Sequence, residues 1–340
     1  MSRLKIRSKR LLNFHNRPAD GTDFTFQPAP IFPMSAVLAS LIPTFLIMAT
    51  GWLARATNFV DERQWSGLER VTYIILFPAL IIDTLSRADL SSVPVLGVGG
   101  ALVSAILLMA VLMLALRPVL ERRLGVDGPS FTSIFQGATR WNTFIGLAVA
   151  GSLFGQRGVA LIAVAIAAMV PLLNLLAFYV FIRYAGRPRQ SPFEILRSFV
   201  TNPFIWSCAV GLALNLLAPP LPKPLSAFID MTGRAALAAG LLVVGAGLDI
   251  RRLTRPGSAH FLAAALKLVL LPVMAVSLAR LAGVSGDDLV VTIVAASVPS
   301  ASAAYVLARQ MGGNAPLMAE ILTLQTLLAM VSMPFLIAYL

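Results

Sequence analysis

The sequence predicts an all-α polytopic membrane protein whose ten transmembrane helices form two five-helix halves of opposite orientation, a 5+5 inverted-topology repeat. Three observations carry that expectation. The 340 residues are 58% hydrophobic and only 12% charged, with a mean hydropathy of +0.83, well outside the range of soluble globular chains. Apolar runs recur from Ser35 onward about every 30 residues, each long enough to cross roughly 30 Å of hydrocarbon at 1.5 Å per residue. Two widely separated runs are interrupted near their middles, one by QGATRWNTFIGLAVAG (136–151) and one by VAASVPSASAAYVLARQMGG (294–313).

Composition narrows the function class. The single cysteine, Cys208, excludes a disulfide within the chain, and the two histidines, His15 and His260, make no zinc- or iron-type cluster. No metal or organic cofactor is expected, apart from H⁺ or Na⁺ as a coupling ion. A net charge of +12 could point to nucleic acid, but nearly all of it lies in short loops between apolar runs. That is the signature of cytoplasmic loops, so the expected surroundings are the lipid bilayer and not a nucleic acid.

Residues 1–33 are basic, then polar and proline-rich, without the apolar core of a signal peptide. They read as a disordered tail or as a misassigned start, with Met34 as the first residue. The ten predicted spans are 36–54, 69–86, 94–117, 131–152, 158–182, 199–217, 226–248, 259–281, 288–309 and 316–339. They divide into a first repeat at 34–183 and a second at 199–340, joined by a basic cytoplasmic linker at 184–198. Of the 27 Lys and Arg residues, 14 fall in the loops after spans 1, 3, 5, 7 and 9, and 4 in the other loops. By the positive-inside rule the first loop is cytoplasmic and both termini are outside, in a multi-pass cell (inner) membrane protein. The basic tail opposes that orientation, and a start at Met34 removes the conflict.

Self-similarity between the halves points the same way. Pro43 and Gly51 are matched by Pro203 and Gly211 at a shift of 160, and Asp89-Leu90 by Asp249-Ile250 at the same shift. Leu153-Phe154-Gly155 aligns with Gln310-Met311-Gly312 at 157, a shift that carries Asn142 onto Pro299. An odd number of spans per half inverts the second half, the arrangement of secondary transporters whose sites lie at discontinuous helices near the midplane. In span 9, Pro299 breaks the hydrogen-bond ladder, and Ser297, Ser300 and Ser302 can satisfy the freed backbone. Span 4 lacks a proline there, so its polar cluster together with Gly146 is expected to loosen the helix.

The stretch LIPTFLIMATGWLARATNFVDERQWSGLERVTYIILFPALIIDTL, the RWNTFIGL of span 4 and the VPSASAAYVLARQMGG of span 9 resemble the auxin efflux carrier family, which includes bacterial malonate-type permeases and plant PIN-type auxin carriers. The resemblance covers about Met34 to Leu340. It implies fourth and ninth helices that unwind and cross, a scaffold of spans 1, 2, 6 and 7, a transport domain of spans 3–5 and 8–10, and commonly a homodimer. The implied activity is elevator-like transport of small organic anions such as mono- or dicarboxylates. Family members often carry a proline in an F-x-G-L-P motif of the fourth helix, where this chain has Ala148.

Candidate substrate-binding residues follow from charge and position. Asn142 can bind a carboxylate or cap freed backbone. Arg140 can grip a carboxylate bidentately or pair with an internal acid. Trp141 and Thr143 flank them, with Trp141 reading better as a packed ring than as a substrate wall. In the second break Pro299 is structural, exposing half-helix ends whose amides attract anions, and Ser300 and Ser302 accompany it. Lys267 in span 8 divides, like Arg140, between substrate and an internal acid. The acids available as partners are Asp83 and Glu320, either of which could be a proton-coupling group if buried. Arg234 and Asp230 read as a structural i, i+4 pair, Asp287 and Asp288 as an exposed helix start, and the glycines of GLLVVGAG as contacts for close helix packing.

The leading expectation is therefore a secondary carrier and not an enzyme. A sodium-coupled, bile-acid-type symporter of related architecture is the alternative. An intramembrane enzyme is less favoured, because no HExxH and no closely spaced aspartate pair occurs within a span.

Overall fold

The computed structural model describes residues 34–88, 95–185, 203–217, 221–250 and 256–340, with the single positions 197, 201 and 253. The tail at 1–33, most of the linker at 184–198, and Asp89-Leu90 lie outside the described residues. Every regular element among those described is helical.

Helix α1 spans Met34–Ala56, and α2 (Glu62–Val71) opens on a capping box. Gln64 donates its backbone N–H to Asp61 Oδ1 at 2.8 Å, and Asp61 donates its own to Gln64 Oε1 at 2.9 Å. The helix continues through a π turn (Thr72–Leu76) into α3 (Phe77–Arg87). Helix α4 follows (Val95–Leu124), then α5 (Gly128–Thr139), α6 (Thr143–Tyr184), α7 (Pro203–Leu217) and α8 (Lys223–Ala246). Helix α9 (Ser258–Ala265) passes through a second π turn (Leu266–Leu270) into α10 (Leu271–Leu281). The chain closes with α11 (Gly286–Ser297), α12 (Ala303–Met311) and α13 (Ala315–Tyr339).

Both π turns end two residues before a proline, Pro78 and Pro272. A proline cannot donate to the carbonyl four residues back and its ring crowds that carbonyl, so a widened turn accommodates it without ending the helix. In α5, Asp127 caps the start by accepting the Ser130 N–H at 2.8 Å. The Ser130 hydrogen bonds hold this carboxyl below the usual carboxylate range. Helix α6 is not one straight rod. Gly155 takes φ 57° and ψ −138°, a conformation that glycine alone adopts readily, and divides the helix into two arms.

Among the described residues, six helical stretches are long and apolar enough to cross a bilayer, and the apolar α7 is shorter. They pack into two sets. Helix α1 lies along α8, and α3 lies along α7 and α8. Helix α4 packs on α6 and α10, while α5 sits among α6, α9 and α13. Glycines set the closest approaches in the first set. A Cβ on Gly51 would lie 2.1 Å from the Leu242 carbonyl oxygen, and one on Gly245 only 1.8 Å from that of Met48, so α1 and α8 meet backbone to backbone. Gly211 on α7 approaches Ile82 Cα, where an added Cβ would be 3.2 Å away. The two contacts, Gly51 with Leu242 and Gly211 with Ile82, are related by a shift of 160 in both partners, the same shift that relates Pro43 to Pro203. The glycines of GLLVVGAG do serve close contact, since Gly240 also makes room for the Phe77 ring.

Gly245→Ala should force α1 and α8 apart and lower the Tm of the purified protein, by an overpacking cost of about 1–3 kcal/mol. Gly67→Ala, where nothing lies within 4 Å of the new methyl, should be neutral or raise the Tm slightly. Equal shifts in the two variants would contradict the backbone contact.

Candidate functional site

The two interrupted segments meet. Helix α5 ends at Thr139, and Arg140, Trp141 and Asn142 run extended before α6 restarts at Thr143. Helix α11 ends at Ser297, and residues 298–302 separate it from α12. The caps Arg140 (φ −63°, ψ 156°) and Val298 (φ −62°, ψ 145°) leave their helices with nearly the same backbone conformation. These helix ends are 158 residues apart, so the positional counterpart of Pro299 is Trp141, one residue from the Asn142 alignment. Asn142 and Pro299 are instead bonded: the Asn142 N–H donates to the Pro299 carbonyl at 3.0 Å.

The rest of the crossing is held by buried polar side chains. Asn142 Oδ1 accepts the N–H groups of Phe144 (3.1 Å) and Ile145 (3.2 Å), capping α6, while its Nδ2 reaches toward the Ser300 carbonyl at 3.5 Å. Ser300 donates its hydroxyl to the Gly137 carbonyl at 3.0 Å. Gln325 of α13, wholly buried, accepts the Ser300 N–H at 3.1 Å and donates to the carbonyls of Gly137 (2.8 Å) and Ala263 (3.1 Å). One amide thus ties together α5, α9 and the second break. Gly146 does not loosen span 4. It bonds normally into α6, and its missing side chain makes room for the Trp141 ring, which would stand 3.1 Å from an added Cβ. The helix also runs unbroken through Ala148.

The ionisable residues are distributed otherwise than the sequence predicts. Arg140 pairs with neither Asp83 nor Glu320. Its Nη1 donates to Asn174 Oδ1 at 3.0 Å and its Nε to Gln136 Oε1 at 3.3 Å, two uncharged amides. Asp83 pairs with Arg87 one turn along α3 at 2.7 Å. Glu320 takes His260 at 2.6 Å, and the other ring nitrogen of that histidine accepts the Gly257 N–H. Neither acid is brought to the crossing cavity. Lys267 is fully buried in the second π turn, with Nζ 3.4 Å from the Ala296 carbonyl, and lines no part of that cavity. Arg234 and Asp230 form their helical pair at 2.9 Å, whereas Asp288 is largely covered, bound to Arg157 at 3.0 Å.

A cavity of about 500 Å³ opens beside the first break, within the size range of small-ligand sites. Arg140, Trp141, Asn142 and Thr143 line it, with Asn174 of α6, Glu69, Arg70 and Tyr73 on the α2 side, Phe204 of α7, and Ala301–Ala303 at the start of α12. Trp141 is buried against it, and its indole N–H has no hydrogen-bond partner. A second cavity of about 360 Å³ shares Asn142, Ser302 and Glu69 and includes Ser300. The sequence-predicted residues brought together are thus Arg140, Trp141, Asn142, Thr143, Pro299, Ser300 and Ser302. Lys267, Asp83 and Glu320 stand apart. Gln325 and Asn174 were missed, although each is an amide in the middle of an apolar run (LTLQTLL and PLLNLLA), the same signal that marks Asn142.

The sequence matches the family model described as "Membrane transport protein" over residues 36–337. It is 25% identical to an "Uncharacterized transporter" of Methanothermobacter thermautotrophicus over 300 residues, 87% of this chain and 95% of that protein. It is 34% identical over 134 residues to the "Putative malonate transporter" of Rhizobium meliloti, covering 38% of this chain and 42% of that protein. The chain belongs to this membrane transport protein family, the auxin efflux carrier family that its interrupted segments resemble.

Proposed function

We propose that the protein is a secondary carrier for a small organic anion, a mono- or dicarboxylate, which binds at the crossing of the two interrupted helices. The observation that carries this reading is the state of Arg140. Its guanidinium lies at a ligand-sized cavity and is held only by the neutral amides of Gln136 and Asn174, with no carboxylate in ion-pair contact among the described residues. A half-buried cation without an internal counter-charge is a receptor for an anion, and the guanidinium fork can still present donors to a carboxylate. Trp141 lines the same cavity with a buried indole N–H that has no partner, and the start of α12, which Ser302 leaves without a side-chain cap, turns its positive dipole end to that cavity. Asn142 acts through the crossing by capping α6 and placing Arg140. The relative in Rhizobium meliloti, described as a "Putative malonate transporter", fits the same chemistry.

The ten-span, 5+5 inverted arrangement belongs to the same proposal. The paired glycine contacts related by 160 residues and the two half-helices that end in matching extended caps support it. The cavity is walled by α2, the second arm of α6, the start of α7 and α12, the helix ends that adjoin the basic loops. By the positive-inside rule it opens to the cytoplasm. The set built on α1, α2–α3, α7 and α8 would be the scaffold, and the set holding both breaks the moving body of an elevator.

In proteoliposomes the wild type should move a labelled carboxylate from a broad mono- and dicarboxylate panel. Arg140→Gln should weaken its Kd about 10- to 100-fold, the loss of a charge-assisted hydrogen bond. Arg140→Lys should fall between them. If no anion in the panel moves, or Arg140→Gln transports like the wild type, the site assignment fails.

Orientation has its own measurement. With Cys208 buried, a cysteine at the exposed, cavity-lining Gln310 should react with a membrane-impermeant maleimide in inside-out vesicles and be protected in right-side-out ones. The opposite pattern would reverse the assigned sidedness.

A further inference from the structure

Lys267 is a cation that the proposed transport site leaves unused. Its side chain is completely buried, and it forms no ion pair among the described residues. It sits in the π turn forced by Pro272, a widening that sets the lysine off the regular helical register. Its Nζ points at one feature, the Ala296 carbonyl at 3.4 Å. Ala296 is the penultimate residue of α11. The last four carbonyls of a helix lack intrahelical partners, and the aligned peptide dipoles place partial negative charge there. In α11 this end is buried: Ala295, Ala296, Ser297 and Val298 are all at most 1% exposed. Solvent cannot neutralise it.

A buried cluster of carbonyls at the negative end of a half-helix, beside serine hydroxyls, has the chemistry of a hard monovalent cation site. Here a covalently attached ammonium already stands at it. We propose that Lys267 is a tethered cation that fills the carbonyl end of α11, takes the place of a bound Na⁺, and makes the resting protein independent of alkali cations. This goes beyond the anion site, because it concerns the opposite end of the second break and does not depend on what the cavity binds.

The test reads cation binding and not transport, so it fails separately from the carrier reading. Wild type, Lys267→Ala and Lys267→Gln are extracted and purified in parallel in sodium chloride and in choline chloride, and each is titrated with ²²Na⁺. The wild type should show no saturable ²²Na⁺ binding and a Tm equal within about 1 °C in the two salts. Lys267→Ala opens the carbonyl end and should gain saturable binding, with a Tm about 3–5 °C higher in sodium than in choline, the size expected near a hundred times the Kd. Lys267→Gln, which keeps an amide donor near Ala296, should behave the same way more weakly. If the alanine variant folds only when extracted in sodium, the proposal is also supported. Saturable ²²Na⁺ binding to the wild type overturns it. So do variants that fold or fail equally in both salts without binding sodium.

Discussion

The structure depends on satisfying backbone polar groups where two helices stop inside an apolar core. Each break frees carbonyls from the helix before it and amides from the helix after it, and an unmatched group there costs several kcal/mol. The two breaks lie against each other because each supplies what the other lacks. The Asn142 amide finds the Pro299 carbonyl, the Gly137 carbonyl takes both Ser300 and Gln325, and Gln325 returns an acceptor to the Ser300 amide. Asn142, Ser300 and Gln325 are each at most 2% exposed. Removing Asn142 strands the Phe144 and Ile145 amides, and removing Gln325 strands that of Ser300.

That constraint divides labour among the polar side chains. The neutral amides and the serine hydroxyl hold the crossing, because an amide carries a donor and an acceptor and can bridge both kinds of freed group without bringing a charge into hydrocarbon. The cations are not needed for this and are held loosely: Arg140 by two amide oxygens and Lys267 by one carbonyl. The acids meanwhile are spent elsewhere, Asp83 on Arg87 and Glu320 on His260. The two cations therefore serve different ends of the breaks: Lys267 faces the carbonyl end of α11, while Arg140 stands at the cavity with no carboxylate in ion-pair contact among the described residues.

Much of this was legible in the chain. Polar residues in apolar runs located both breaks, and a nearly constant shift paired them, because a helix in hydrocarbon advertises its interruptions through residues it would otherwise not tolerate. Side-chain partnerships were harder to read. Asp83 lies one helical turn before Arg87, and that local spacing outweighed the longer-range pairing assigned to it. Glu320 and His260 are separated by 60 residues, and nothing in either neighbourhood names the other. Gln325 and Asn174 carried the right signal, an isolated amide in an apolar span, but their partners are main-chain carbonyls and another amide brought from distant helices. A backbone carbonyl leaves no trace in the sequence.

The same contrast separates the two helix sets. Within the set of α1, α3, α7 and α8, glycines bring backbones into contact, a jigsaw fit that permits little relative movement. Beside the crossing, the junction between the sets is a stack of rings: Phe77 on α3 lies parallel to Phe144 on α6, with centroids 4.4 Å apart and an interplanar angle of 8°. Stacked rings are far less directional than hydrogen bonds, so a shift along their faces costs little until contact is lost. Gly240 keeps that surface smooth, since a Cβ there would sit 2.8 Å from the Phe77 ring. The cavity draws its walls from both sets, Glu69, Arg70 and Phe204 from one and Arg140, Asn174 and Ala301–Ala303 from the other. In the elevator proposed above, the amide-stapled body would slide past the glycine-locked one, Arg140 would keep its place at the crossing while the wall opposite it changes, and the proposed anion would pass from one surface to the next without leaving its guanidinium.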